Sequence, residues 1–194
     1  MAIVTLPDFK SYARNELGTA DDVTILAALD AAHYMVYEYV GRSLELAGSA
    51  SVRMFVPQSL TVLRIDDCTT VTSVVNNTVT LATTDYQTEP VGNRAASGAY
   101  RPITMLRLIN GGSWYMDELE ATVSVTATWG WSEVPAAGIE AVKVLAKDIL
   151  HQRDNRSGVA GFGEFGVIRL QSRLDPDVQQ MIEPFRHPDG YGLA

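Results

Sequence analysis

The chain has 194 residues, 15 of them basic and 23 acidic, for a formal net charge of −8. Hydrophobic residues make up 46% and charged ones 20%, the balance of a globular protein with enough length for one domain, or one domain carrying a sizeable insertion. The acidic excess argues against a general nucleic-acid binder, which needs clustered Lys and Arg to displace counterions. A single cysteine, Cys68, excludes an internal disulfide framework and a multi-cysteine zinc site, and its neighbours Asp66 and Asp67 offer nothing to stabilise a thiolate. No apolar run approaches the roughly 20 residues that span a bilayer. The opening Met1-Ala2-Ile3-Val4-Thr5-Leu6-Pro7-Asp8 lacks the basic and long apolar regions of a secretory signal, so synthesis in a reducing, intracellular compartment is expected.

Leu6-Pro7-Asp8 reads as a helix start, because proline is pre-set for an early helical position and aspartate favours the helix N-terminus. Phe9, Tyr12, Ala13 and Leu17 recur at helical spacing up to Gly18. Thr19 or Asp21 caps a second helix, with Ile25, Leu26, Leu29, Ala32, Met35, Val36, Tyr39 and Val40 as its apolar face and Gly41 as its stop. From Ser49 the composition shifts to Val, Thr and Ile with a period near two. Strands are expected at 52–56, 60–65, 103–109 and 121–129, with a hairpin of 71–75 and 78–81 turning at Asn76-Asn77. Ile139, Val142, Leu145, Ala146, Ile149 and Leu150 then mark a helix over residues 136–153. Beyond it the sequence predicts a Gly-rich linker or loop, Gly158–Gly166, a short strand at 167–170, and a short helix from Asp175-Pro176-Asp177 to about Ile182.

These elements predict an α+β fold: a helical bundle, made of an N-terminal hairpin and a C-terminal helix, with a small antiparallel β domain inserted and an extended C-terminal tail. The expected parts are residues 1–48 (hairpin), 49–134 (inserted β domain), 135–154 (third helix) and 155–194 (flexible linker and docking tail). Trp129-Gly130-Trp131 reads as a hydrophobic hinge between sheet and bundle.

No motif points to catalysis, a cofactor or a metal. Gly161-Phe162-Gly163-Glu164-Phe165-Gly166 matches G-x-G-x-x-G, but it follows a helix where a dinucleotide site needs a strand, and Glu164 repels phosphate. His33, His151 and His187 have no ligand spacing. Asp21-Asp22 and Asp66-Asp67 are explained by a helix start and a turn. The tail is different in kind. Arginine and aromatic residues are enriched in interface cores, which makes Arg169, Leu170, Arg173, Phe185 and Arg186 candidates for partner docking.

Three motifs in order resemble the head–tail connector (adaptor) proteins of tailed bacteriophages. They are Leu6-Pro7-Asp8-Phe9-Lys10 with Asp21-Asp22, Leu26, Ala31-Ala32 and Tyr39-Val40-Gly41-Arg42-Ser43-Leu44; then Val71–Val75 to Asp85-Tyr86; then Trp129-Gly130-Trp131-Ser132-Glu133-Val134-Pro135 with Ile139, Ala141 and Leu145-Ala146. The resemblance implies a virion structural protein, made in the host bacterial cytoplasm, that forms a twelve-fold ring under the portal. It implies as partners the portal protein, neighbouring subunits, a downstream tail-completion protein, and genomic DNA that passes through the channel unbound. It also implies a C-terminal segment that reaches the portal. Two other classes remain open: a protein- or carbohydrate-binding module that uses the β domain, and a small hydrolase with a site built from distant residues.

Overall fold

The computed structural model of the chain describes residues 3–14, 21–94, 100–117, 120–157 and 174–187. It divides into two compact units, Met1–Leu44 with Val134–Ala194, and Glu45–Glu133. Among the described residues the architecture is a mostly antiparallel sheet of six strands with four α-helices. This corrects the expected helical bundle with a small β insertion and an extended tail. The sheet builds a core of its own, and the C-terminal region contributes a packed helix.

In the helical unit, α1 (Leu6–Ala13) is capped by Thr5, whose hydroxyl accepts from the Asp8 amide, with Pro7 in the first turn. Helix α2 (Asp22–Val40) is capped by Asp21, which accepts from the Thr24 amide at 2.8 Å. It ends at Gly41, whose φ of 66° lets its N–H close on the Tyr37 carbonyl at 2.9 Å. Ile25, Ala28, Leu29, Ala32, Val36 and Val40 form its buried stripe. Helix α3 (Ala136–Ser157) packs on α2 and on α1, burying Ala141, Val142, Leu145, Ala146 and Leu150. Helix α4 (Pro176–Ile182) is capped by Asp175 and buries Val178 and Ile182, one helical turn apart, as it packs on α3. Burial of Val178 and Ile182 therefore holds α4 against α3, where the sequence led us to expect an extended tail.

In the sheet unit the strands are β1 (Ser51–Phe55), β2 (Val62–Asn76), β3 (Val79–Thr80), β4 (Tyr86–Glu89), β5 (Ile103–Leu108) and β6 (Val123–Trp129). Their order is β1-β6-β2-β5-β4, with β3 paired to the end of β2. Strand β2 is the organiser. It runs unbroken through Asp66-Asp67, where the sequence led us to expect a turn, because irregularities between Arg64 and Cys68 and between Cys68 and Ser73 bend it without ending it. Its first half pairs with β5 and its second half with β6. The two aspartates have structural partners: Asp66 accepts from Arg53 at 2.6 Å, and Asp67 accepts from the Trp131 indole at 3.1 Å.

Strand β6 alternates strictly, with Val123, Val125, Ala127 and Trp129 buried and Ser124, Thr126 and Thr128 on the other face. Those hydroxyls pair across strands, Ser73 with Thr126 at 3.1 Å and Thr70 with Thr128 at 3.2 Å. The buried face joins Leu63, Ile65, Val74, Tyr86, Ile103, Leu106, Leu108 and Trp114 in one core. Trp129 and Trp131, read from sequence as a hinge, both anchor inside this unit: Trp129 donates to the Ser51 carbonyl at 2.9 Å, and the Trp131 amide donates to Glu45 at 2.9 Å. Between them Gly130 has a φ of +116°, and a Cβ there would stand 2.8 Å from the Ala47 Cα, so no other residue fits.

Cys68 is fully buried in this core, and burial first, then the charges of Asp67 and Asp66, push its thiol pKa up to about 12. Thiolate is the reactive species, so at about pH 8 the folded chain should be alkylated on the order of 10³-fold more slowly than the denatured chain. Iodoacetamide labelling followed by mass spectrometry measures this. Similar rates in the two states would contradict the burial. The sign also sets alkaline stability: the protonated form is favoured in the folded state, so stability present below the unfolded pKa is lost as pH rises toward about 12.

Candidate functional site

The five docking candidates divide sharply. Arg169, Leu170 and Arg173 lie outside the described residues, as does the Gly161–Gly166 motif. Phe185 and Arg186 are described. They follow α4 in a short 3-10 turn, Glu183–Phe185, that returns to the C-terminal end of α2. The Tyr39 hydroxyl donates to the Glu183 carboxylate at 2.6 Å, and the His187 amide donates to the Val40 carbonyl at 2.8 Å. The Arg186 guanidinium lies 5.7 Å from the Tyr39 ring centroid and 3.7 Å from Glu183. The hydrogen bond to Glu183 raises the Tyr39 phenol pKa, with burial and the carboxylate charge adding to it. Arg186 is thus engaged within its own chain. The ion pair is exposed and worth about 0–1 kcal/mol, so α4 is held mainly by Val178 and Ile182.

The three histidines fall on different elements: His33 on α2, His151 on α3, and His187 beyond the final turn. Among the described residues no group of three or more His, Cys, Asp or Glu is placed to hold a metal ion, and no helix is long and apolar enough to cross a membrane.

Two apolar surfaces stand out that the sequence did not distinguish. On α2, Val23 and Tyr34 are 76% and 63% exposed, and Leu26 and Tyr37 lie exposed on the same side. The sequence places Leu26 and Met35 on the apolar face of this helix. They fall outside the buried arc because each helical step turns about 100° and Leu26 directly follows buried Ile25. The second surface belongs to the sheet unit. Asn76 ties the 113–115 segment down, donating to the Ser113 carbonyl at 3.0 Å and accepting from the Tyr115 amide at 2.8 Å. The Thr122 hydroxyl donates to the Tyr115 carbonyl at 2.6 Å, and the Trp114 amide donates to Leu60 at 2.8 Å. Beside this fixed segment lies a cleft of about 560 Å³, walled by Leu60, Val79, Leu81, Trp114, Tyr115 and Met116. The signal available in the sequence was the run Trp114-Tyr115-Met116, which sits outside any strand pattern.

No protein-family model and no curated protein sequence matches the chain. Among solved structures, a chain from the neck of an empty gene transfer agent (GTA) particle, computed with C6 symmetry, matches with a TM-score of 0.55 at 20% identity, over 94% of this chain and 89% of that one. The chain shares the fold of a particle-neck protein. A chain from the neck of the native GTA particle, computed with C12 symmetry, matches at 17% identity with a TM-score of 0.49, over 94% and 92% of the two chains.

Proposed function

We propose that the chain is a structural protein of the neck of a tailed-phage-like particle. In this reading it is a connector whose copies form a ring beneath the portal, continue the DNA channel and present a platform to the next tail-side component. The observation that carries this reading is the fold shared with a GTA neck chain over 94% of the sequence. The order of the Leu6–Leu44, Val71–Tyr86 and Trp129–Ala146 motifs supports it from an independent side.

The role asks for shape and charge, with no turnover. A net charge of −8 per copy gives a ring that repels phosphate, so DNA slides through without sticking. Contacts between copies need only be weak, because a symmetric portal raises their effective concentration. The free chain is then monomeric or weakly associated, and the ring forms on its template. Arg169, Leu170, Arg173, Phe185 and Arg186 are the residues proposed to reach the portal. Removing the gene from a particle-producing strain tests the role: DNA-filled heads without tails should accumulate. Complete tailed particles at normal yield would overturn it.

A further inference from the structure

We propose that the outer face of α2 on one copy of the chain packs against the β1 edge of a second copy. The identity of the occupant rests on the ring reading above; the two surfaces are read from the chain itself.

A helix that is apolar all round is normally buried all round. Tyrosines aside, the polar residues of α2 are Asp22, Thr24, Asp30, His33 and Glu38, yet only the stripe running from Ile25 to Val40 is buried. The other side is open. Val23, Ala27, Asp30, Tyr34 and Tyr37 are all exposed and recur at alternating spacings of four and three, the repeat of a helix-packing seam. The Tyr34 hydroxyl donates to Glu38, which holds that ring in place. Large apolar side chains left open along one line mark a surface that gains from being covered.

Charge decides how a second copy meets this seam. Helix α2 contains no Lys or Arg, and Asp30 stands at the middle of the seam. Two α2 faces packed about a two-fold axis, parallel or antiparallel, would set Asp30 against Asp30. That repulsion disfavours self-pairing and leaves a contact between unlike surfaces, the kind that propagates around a ring. The second surface must be apolar, open and free of carboxylates. Strand β1 meets these conditions. It is an outer strand, paired only with β6 among the described residues. Arg53 and Phe55 turn onto Trp129, while Val52 and Met54 on the opposite face, and Val56 just beyond, are 61%, 55% and 49% exposed. From Ser51 to Leu60 the single charged residue is Arg53.

The dimensions agree. The seam from Val23 to Tyr37 is about 21 Å long at the helical rise, and Ser51 to Val56 spans about 17 Å of extended chain. A strip of that length and one helix diameter covers roughly 200 Å², well below the roughly 800 Å² that each partner buries in a stable complex. One such contact does not hold a pair in dilute solution, whereas many of them closed on a symmetric template hold a ring.

The test places single cysteines on the full chain, where the native Cys68 is buried and leaves the readout clean. Tyr34→Cys and Met54→Cys chains, both altered at exposed positions, should keep thermal midpoints near that of the parent. They are mixed at millimolar concentration and treated with a short bismaleimide. Covalent pairs joining position 34 of one copy to position 54 of another should exceed 34–34 and 54–54 pairs by about tenfold. Adding Tyr37→Glu to the Tyr34→Cys chain should lower the 34–54 yield about tenfold. A dominant like pair, a 34–54 yield no higher than that of Tyr34→Cys with Val79→Cys on a different exposed surface, or indifference to Tyr37→Glu would each overturn the proposal. A ring built through other surfaces would still leave tailless heads in the deletion strain, so the two readings fail separately.

Discussion

Replacing Trp131 by alanine should cost about 3–5 kcal/mol of unfolding free energy, the range for deleting a large aromatic side chain from a packed core. Trp131 is 1% exposed, donates its indole N–H to Asp67 at 3.1 Å and lies edge-on to Tyr100 with ring centroids 6.1 Å apart. Its backbone joins Glu45 at 2.9 Å and Ala47 at 2.7 Å, so the truncation opens a cavity where the incoming 45–47 segment meets the sheet. The bent middle of β2 would also lose the indole donor that Asp67 now receives. All three tryptophans lie within Glu45–Glu133, so their fluorescence reports this unit alone, and Trp114 and Trp129 remain as probes in the variant. The fluorescence midpoint should fall by more than about 10 °C on heating. A fall of less than about 2 °C would mean that the buried Trp131 side chain contributes little to the stability of this unit.

Ile182→Ala should cost about 2–4 kcal/mol, with a different signature. Ile182 is fully buried, and with Val178 it provides the apolar contact of a helix only seven residues long. Such a helix has almost no stability in isolation, so tertiary packing holds it. Losing one of two anchors should release 174–187 before the other helices melt. Hydrogen exchange in the α4 amides should then rise on the order of 100-fold, while α2 and α3 change far less. Unchanged protection of α4 would show that the capping and surface contacts, Asp175 and the Tyr39–Glu183–Arg186 group, suffice to hold it.

These two residues also show where the sequence was readable. Helix ends announced themselves through local chemistry: Asp21 and Gly41 bound α2, and Asp175-Pro176 opens α4. Strand β6 was legible because one face is buried and the other hydroxylated, so its alternation is complete. Strand β2 was harder, because its bulges place Asp66 and Asp67 mid-strand, and consecutive aspartates read as a turn when their partners Arg53 and Trp131 are distant in sequence. Strand β4, Tyr86-Gln87-Thr88-Glu89, escaped notice as an edge strand with little apolar character; its register with β5 is supported by Glu89 and Arg107 at 2.6 Å. On α2 both stripes are apolar, and hydropathy alone does not say which one meets α3. The docking of α4 depends on the shape of α3, which a linear pattern does not contain.

Electron microscopy of the purified chain mixed with a candidate portal oligomer decides whether the chain is a portal-bound ring. The free chain should be monomeric or form small species, and on mixing a ring of density coaxial with the portal should appear that leaves an open channel. Portal particles that stay bare at saturating concentrations of the chain would contradict it, as would a stable ring of fixed copy number formed in dilute solution without any portal.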